Sequence, residues 1–288
     1  MRYDIRLKLQ QHYPAASDHV RHLVRLLPGD GTHQRIQRRR LAITPAPDER
    51  RDWLDFFGNA TTYVAWHRPV REVIYELHVE AERLSSREMD ISPPLHRLVS
   101  ELSATGLHPA SPLHFHKPSH RIPADTAIAA FAQSAAQQAP SARLAVEALG
   151  TALHRALTFD PRATDVTTPP AEAFAARRGV CQDFAQIMIG GLRALGIPAG
   201  YVSGFIRTIP PPGKARLQGV DAMHAWVRAW CGTAQGWQEF DPTNASWARE
   251  DYIAVAHGRD YGDAAPVRGA IRTSGSQTTG HSVDMVAL

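Results

Sequence analysis

Apolar and polar residues alternate along the first part of the chain, which is typical of β-strands with one buried face. The alternating apolar positions are Tyr3, Ile5, Leu7 and Leu9, and later Val73, Tyr75, Leu77, Val79 and Ala81. Shorter apolar runs at 20–27, 41–43 and 61–66 are separated by turn residues such as those at 28–31. Short alternating strands with frequent turns predict an antiparallel β-sandwich over residues 1–88.

The pattern changes in the middle of the chain. Residues 89–124 are rich in proline, histidine and serine and are expected to form a connector. After it, apolar residues recur every three or four positions in 127–138 and 142–157, which predicts two helices. Asp125 and Ser141 precede these runs and are suited to cap the helix N-termini.

A third helix is predicted around the first cysteine. Phe184, Met188, Leu192 and Leu195 follow Cys181 at the spacing of one helix face. A glycine precedes this run and Gly-Ile-Pro closes it, so the helix should begin at or beside Cys181. A cysteine in that place lies beside unpaired backbone N–H groups and the positive end of the helix dipole. Both features stabilise a thiolate, the nucleophilic form of cysteine.

Two further strands follow downstream. The run from His224 to Trp230 predicts one strand, and Trp237 to Phe240 predicts its hairpin partner across a polar turn. Antiparallel pairing would bring His224, at the start of one strand, beside Asp241, at the end of the other. In a Cys–His–Asp arrangement the histidine takes the thiol proton, and the carboxylate orients the imidazole and stabilises its cation.

Five ordered blocks of sequence resemble the bacterial transglutaminase-like proteins. They are GVCQDFA at 179–185, LRALGIPAGYVSG at 192–204, DAMHAW at 221–226, FDPTN at 240–244 and VAHGRDYGDAAPVRG at 255–269. The resemblance implies an α+β fold: a papain-like core over 125–288, with helices packed on an antiparallel sheet, preceded by the N-terminal β-sandwich. By position, the family nucleophile falls on Cys181, its base on His224 and its orienting carboxylate on Asp241.

The sequence departs from the family pattern in one block. Where these proteins more often have Ala-Arg-Tyr-Val-Ser-Gly-Tyr, this chain has Gly200 in place of the arginine and Phe205 in place of the final tyrosine. A substrate role at these two positions is therefore not carried over. The catalytic triad is intact.

The resemblance implies thiol-dependent acyl transfer through a thioester. With water as the acceptor, the protein is a cysteine peptidase or amidase, which is the interpretation we favour. An amine acceptor would make it a transglutaminase, and a non-catalytic binding or assembly module is the alternative of another class. The backbone N–H of Cys181 is the expected oxyanion donor. Gln182, Trp226 and Asn244 are expected to support the site rather than to react.

Composition adds limits on partners and setting. The formal charge is +4, and Lys and Arg are scattered apart from the run at 35–40, so no nucleic-acid partner is expected. No apolar run approaches the roughly 18 residues of a membrane span, and no signal-peptide pattern is present, so no membrane partner is expected. A disulfide between Cys181 and Cys231, which are the chain's two cysteines, would consume the proposed nucleophile; we therefore expect a reduced, cytoplasmic setting.

No cofactor or metal is expected. Four histidines lie in the connector, at 108, 114, 116 and 120, but neither cysteine nor acidic ligands accompany them, and prolines interrupt the segment. The chain also has no glycine-rich phosphate loop and no calcium-loop pattern. The expected partners are a peptide or protein substrate and, by the resemblance, proteins of a peptide synthesis or modification system.

Overall fold

The computed structural model describes residues 1–84, 89–208, 221–272 and 277–288. The first elements are β1 (Arg2–Val24), β2 (Gln34–Thr44), β3 (Glu49–Leu54), β4 (Ala60–Trp66), β5 (Val70–Arg83) and α1 (Leu95–Ser103). The next elements are α2 (Thr126–Ala136), α3 (Ala142–Ala156), β6 (Thr158–Phe159), α4 (Pro170–Ala176), β7 (Arg178–Gly179) and α5 (Cys181–Ala194). The remaining elements are β8 (Ala199–Ile206), β9 (Ala222–Trp230), β10 (Trp237–Asp241), β11 (Ser246–Trp247), β12 (Tyr252–Gly258), α6 (Tyr261–Ala264), β13 (Val267–Arg272) and β14 (Thr278–Ala287).

The long strand β1 organises the N-terminal sheet. Its first half pairs with β5 on one side and β14 on the other, and its second half pairs with β4 and β13. All of these pairings are antiparallel. The alternating apolar residues of β1 and β5 point into one shared core and are almost fully buried, as the period of two predicts.

The second half of the chain forms an antiparallel sheet covered by helices. The strand order is β11-β10-β9-β8-β12, and α5 packs on β8 and β9 while α2, α3 and α4 surround it. Asp125 accepts a hydrogen bond from the Ile128 N–H at 2.9 Å, and Ser141 accepts one from the Leu144 N–H at 3.2 Å. Each cap contributes about 1 kcal/mol. The predicted α+β fold is confirmed.

Two side-chain amides join the N-terminal sheet to the core sheet. Strand β12 is an edge strand, so its outer N–H and C=O groups require partners when they are buried. Gln34 accepts from the Ala254 N–H at 2.9 Å and donates to the Ala254 carbonyl at 2.8 Å. Asn59 likewise accepts from the His257 N–H at 2.9 Å and donates to the His257 carbonyl at 2.7 Å. These two amides continue the hydrogen bonding of the sheet across the boundary.

The region predicted as a connector is more ordered than expected. It contains α1, which begins after Pro94 and buries Leu98 and Leu102. The apolar spacing of this helix is regular, and prolines directly precede it. Proline is compatible with a helix start, because the first N–H groups of a helix have no internal partner. The sequence analysis assigns no helix to this region, and the structure adds α1 to it.

The chain ends in the N-terminal sheet rather than in the core. The last strand, β14, pairs with β1 over ten residue pairs. Asp221 ties this strand to the core sheet: its carboxylate accepts the Thr208 N–H and the Met285 N–H, both at 2.6 Å. The predicted division of the chain at residues 88 and 124 stays a prediction.

Candidate active site

Cys181 is the first residue of α5, as predicted from the sequence. Val180 before it has an extended backbone and no side-chain oxygen, so Asp183 takes over part of the capping. Its Oδ2 accepts the Val180 N–H at 2.7 Å and the Thr164 hydroxyl at 2.6 Å. Burial raises the pKa of Asp183, and these hydrogen bonds oppose the rise. A Cβ at Gly179 would lie 2.6 Å from Asp183 Oδ2, which explains the glycine.

His224 and Asp241 meet at the open end of the β9–β10 hairpin. His224 Nε2 donates to Asp241 Oδ2 at 2.8 Å. That bond occupies Nε2, so Nδ1 is the ring nitrogen available to the thiol. The Cys181 side chain lies close enough to His224 to act on the imidazole and raise its pKa. The structure therefore brings the three predicted residues together in the order Cys–His–Asp.

The Asp241 carboxylate is fully buried and surrounded by donors. Oδ1 accepts the backbone N–H groups of Thr243 at 2.8 Å and Asn244 at 3.3 Å. Oδ2 accepts the Asn244 side-chain amide at 2.7 Å and the Tyr252 hydroxyl at 2.8 Å, in addition to His224. Burial by itself favours the neutral acid, but these donors and the charge of the imidazole hold the pKa of Asp241 below its usual range. The carboxylate therefore stays ionised at neutral pH.

The same surroundings favour the charged form of His224. Burial alone would lower the pKa of His224. The hydrogen bonds to Asp241 and Cys181, together with their negative charge, outweigh burial and raise that pKa to about 10. An imidazolium beside the thiol favours an ion pair, in which the proton resides on the histidine. Trp226 stacks on the imidazole, with ring centroids 6.4 Å apart and an interplanar angle of 26°.

The three residues expected to support the site have distinct contacts. Gln182 donates to the carbonyl of Val166 at 3.4 Å, which joins α5 to the loop before α4. Trp226 donates its indole N–H to Glu239 Oε2 at 3.1 Å. Asn244 donates to the Asp241 carboxylate, as described above.

Tyr252 is the functional residue that sequence reasoning missed. It is the first residue of β12, which forms one edge of the core sheet, and it is 6 % exposed. A tyrosine at the start of an apolar strand gives no local signal of a polar role. Strands β9 and β8 lie between β10 and β12 in the sheet, and the Tyr252 side chain spans this distance to place its hydroxyl on the Asp241 carboxylate.

The two cysteines have different surroundings. Cys181 is half-buried, whereas the Cys231 side chain is 0 % exposed. Both residues lie within the described part of the chain, and no disulfide joins them. Cys181 is therefore the cysteine that a substrate or reagent can reach.

The connector histidines do not assemble a metal-binding group in the described structure. His114 Nε2 donates to the His108 carbonyl at 3.0 Å. Across residues 1–84, 89–208, 221–272 and 277–288, no group of three or more His, Cys, Asp or Glu residues is placed to hold a metal ion. In these same ranges no helix combines the length and apolar character needed to cross a membrane.

Comparison with known protein families agrees with the resemblance seen in the sequence. The transglutaminase-like superfamily matches residues 129–242. The bacterial transglutaminase-like N-terminal region matches residues 3–82. The first match contains Cys181, His224 and Asp241, and the second covers most of the N-terminal strands.

Individual proteins extend this relationship over nearly the whole chain. An uncharacterised protein of Mycobacterium tuberculosis is 33% identical over 274 residues, which cover 91% of this chain and 85% of that protein. A protein-glutamine gamma-glutamyltransferase of Pseudomonas aeruginosa is 38% identical over 89 residues, which cover 31% of this chain and 13% of the transferase. The crystal structure of a candidate cysteine protease from Cytophaga hutchinsonii has the same fold, with a TM-score of 0.79 at 18% identity, covering 100% of this chain and 91% of that one. The chain belongs to the transglutaminase-like superfamily and carries the N-terminal region of its bacterial members.

Proposed function

We propose that this protein is a thiol-dependent acyl-transfer enzyme that works as a cysteine peptidase or amidase. One observation carries the proposal: a half-buried cysteine at a helix N-terminus lies beside a histidine whose Nε2 is held by a buried, ionised aspartate. This set supplies a nucleophile, a proton carrier and an orienting charge in one relay. Cys181 is the nucleophile, His224 the acid and base, and Asp241 the orienting group.

In the acylation step the thiol proton resides on His224 and the Cys181 thiolate attacks the carbonyl carbon of a peptide or carboxamide. A C–S bond forms, and the carbonyl oxygen becomes an oxyanion. The first N–H groups of a helix have no partner inside it, so the Cys181 backbone N–H is suited to donate to this oxyanion. Collapse of the intermediate breaks the C–N bond. His224 donates its proton to the leaving amine, and a thioester remains on the sulfur.

In the second step an acceptor resolves the thioester. A water molecule gives its proton to neutral His224 and attacks the thioester carbonyl. The C–S bond breaks, a carboxylic acid leaves, and the Cys181 thiolate beside an imidazolium is restored. Asp241 stabilises each imidazolium state through the bond to Nε2.

A transglutaminase is the second candidate, favoured by the local similarity to a protein-glutamine gamma-glutamyltransferase. The chemistry differs only in the acceptor: an amine instead of water attacks the same thioester, and an isopeptide or amide bond forms. Water is available to any accessible thioester, which is why we place hydrolysis first.

One assay on peptide carboxamides separates these outcomes. A panel of glutamine-containing peptides and peptide amides is incubated with the protein, with and without a fluorescent primary amine. Ammonia, new amino termini and amine incorporation are measured together. Cys181→Ser should abolish all turnover, whereas the matched control Cys231→Ser should retain it.

Hydrolysis that persists in the presence of the amine supports the peptidase or amidase. Dominant amine incorporation supports the transglutaminase. No turnover from a protein whose Cys181 is also unreactive would move the assignment to a binding module.

A further inference from the structure

A cavity of about 480 Å³ lies between the N-terminal sheet and the core sheet. Its walls include residues 29–34 and 58–60 from the N-terminal part, and 235–239 and 254–257 from the core. A volume of this size accommodates a small molecule. Cys181 is not among the residues that line it, so the cavity is separate from the reacting sulfur.

A second, smaller cavity continues this space towards α3. Its volume is about 30 Å³, and it shares the walls formed by Arg83, Gln238 and Glu239. Arg143 and Trp247 complete its lining on the helical side. Together the two cavities form one cleft, which we call the interdomain cleft.

Three arginines of the interdomain cleft have unused hydrogen-bond donors. The Nε atoms of Arg83, Arg143 and Arg228 are buried and have no hydrogen-bond partner among the described residues. Arg83 is only 4% exposed, and its Nη2 donates to the Ala248 carbonyl at 2.7 Å. Buried donors of this kind are uncommon in native proteins and disfavour the folded state unless something satisfies them.

Two of these guanidinium groups lie over indole rings. The Arg228 guanidinium lies 3.9 Å from the centroid of Trp237, and that of Arg143 lies 4.2 Å from the centroid of Trp247. A cation–π contact of this kind positions a guanidinium over the ring without using its N–H groups as donors. The N–H edge of a guanidinium matches the two oxygens of a carboxylate or phosphate.

Positive charge is in excess in the interdomain cleft. Four arginines line it (Arg83, Arg143, Arg228 and Arg249), against two carboxylates (Asp30 and Glu239). Glu239 lies 3.6 Å from Arg83 and also accepts the Trp226 indole N–H. One of its carboxylate oxygens is therefore already used as a hydrogen-bond acceptor. Asp30 is exposed at the rim and accepts the Ile36 N–H at 2.8 Å.

The two histidines of the cleft do not remove this excess. Burial, and then the nearby charge of Arg228, lower the pKa of His257 to about 3, so it is neutral at pH 7. His33 lines both cavities and is a further polar side chain of the wall. Burial lowers the pKa of Arg228 to about 10, and the charge of Glu239 opposes this shift, so Arg228 remains a cation at neutral pH.

We propose that the interdomain cleft is a binding site for a small anion that carries carboxylate or phosphate oxygens. Arg228 is its main contact, and Arg83 and Arg143 supply further donors. The site lies on the same face of β9 as the imidazole of His224, because side chains two and four residues apart point to one face of a strand. The anion is a ligand distinct from the peptide that meets Cys181.

Isothermal titration calorimetry on the full chain tests this proposal. Inorganic phosphate, pyrophosphate and citrate are each titrated at constant ionic strength, with sodium chloride as the reference. We expect saturable binding tighter than about 1 mM for at least one of them. Preference for pyrophosphate or phosphate identifies a phosphate ligand, and preference for citrate identifies a carboxylate. The absence of saturation with all three would overturn the proposal.

Variants assign the binding to the cleft. Arg228→Gln should weaken binding about 10-fold or more, since it removes hydrogen bonds to a charged group. Arg51→Gln, at an exposed position on the edge strand β3, should leave binding unchanged. Equal weakening in both variants would show a general effect of net charge and contradict the site.

Glu239→Gln provides a readout that misfolding cannot imitate. It removes the carboxylate that competes for the arginines while keeping an acceptor for Trp226, so the anion should bind several-fold tighter. Unchanged or weaker binding in this variant would contradict the charge argument. Because calorimetry measures binding directly, none of these results depends on whether Cys181 is catalytic.

Discussion

The hydroxyl of Tyr252 offers a sharp test of how the buried carboxylate is held. In Tyr252→Phe the ring remains, so the edge-on contact with Trp226, at 5.3 Å between centroids, is kept. The 2.8 Å hydrogen bond to Asp241 Oδ2 is lost, together with a longer contact of 3.3 Å with the hydroxyl of Ser246, which is not charged. Hydrogen bonds to charged groups contribute about 1.5–3 kcal/mol. We therefore expect the free energy of unfolding at pH 7 to fall by that amount.

The pH dependence of this loss distinguishes its cause. The pKa of Asp241 is lowered in the folded protein, so its ionisation contributes stability above the unfolded pKa of about 3.9. That stability disappears as the pH falls through the folded pKa. In the variant the Asp241 carboxylate has one hydrogen-bond donor fewer, so its pKa in the folded protein is lowered by less. The difference between wild type and variant should therefore be full at pH 5 to 7 and should shrink below about pH 4.

Urea unfolding followed by circular dichroism at several pH values measures this difference. Tyr63→Phe is the matched control, because the Tyr63 phenol makes no hydrogen bond within the described residues; it should change stability by less than about 0.5 kcal/mol. A loss in Tyr252→Phe that has the same size at pH 3 as at pH 7 would show that the hydroxyl does not act on a charged carboxylate, and would refute the reasoning.

Three further predictions concern the site and the scaffold. Asp241→Asn should keep the fold but reduce turnover about 10⁴-fold, because an amide N–H facing Nε2 imposes the wrong imidazole tautomer; a loss below tenfold in steady-state assays would exclude this role. Gln34→Ala should reduce the free energy of unfolding by about 1–3 kcal/mol in urea, because the N–H and C=O of Ala254 lose their buried partner; no change would mean that water replaces the amide. Gly150→Ala places a Cβ 2.2 Å from the Phe240 ring, so we expect a loss of about 1–3 kcal/mol, and unchanged thermal stability would contradict that packing.

Local sequence patterns were sufficient to predict the helix and the hairpin that contain Cys181, His224 and Asp241. The start of α5 at Cys181 followed from glycine, helical spacing and the closing Gly-Ile-Pro, all of which act within one segment. The β9–β10 hairpin followed from two apolar runs joined by a polar turn. A hairpin of short loop length determines its own register, and this is why His224 and Asp241 could be placed together from sequence.

The features that sequence reasoning missed depend on contacts between distant segments. Tyr252 reaches Asp241 from β12, a strand that β8 and β9 separate from β10 in the sheet, so strand pairing alone does not predict the contact. The amide contacts of Gln34 and Asn59 span about 200 residues of sequence. The pairing of the C-terminal strands with β1 is equally non-local. Neither propensity nor spacing encodes such partners. The substrate, the protein partners and the cytoplasmic location remain predictions.

The central claim, a working Cys–His pair, is tested most directly by the pH dependence of Cys181 alkylation. The rate of reaction with iodoacetamide is followed between about pH 4 and 9 in wild type and His224→Ala. Mass spectrometry reads the modified peptide, and buried Cys231 serves as the internal control. Because the pKa of His224 is raised to about 10, the account predicts reaction well below neutral pH in wild type and its loss in the variant. A rate that rises only towards the free-thiol pKa of about 8.5, and equally in both proteins, would contradict it.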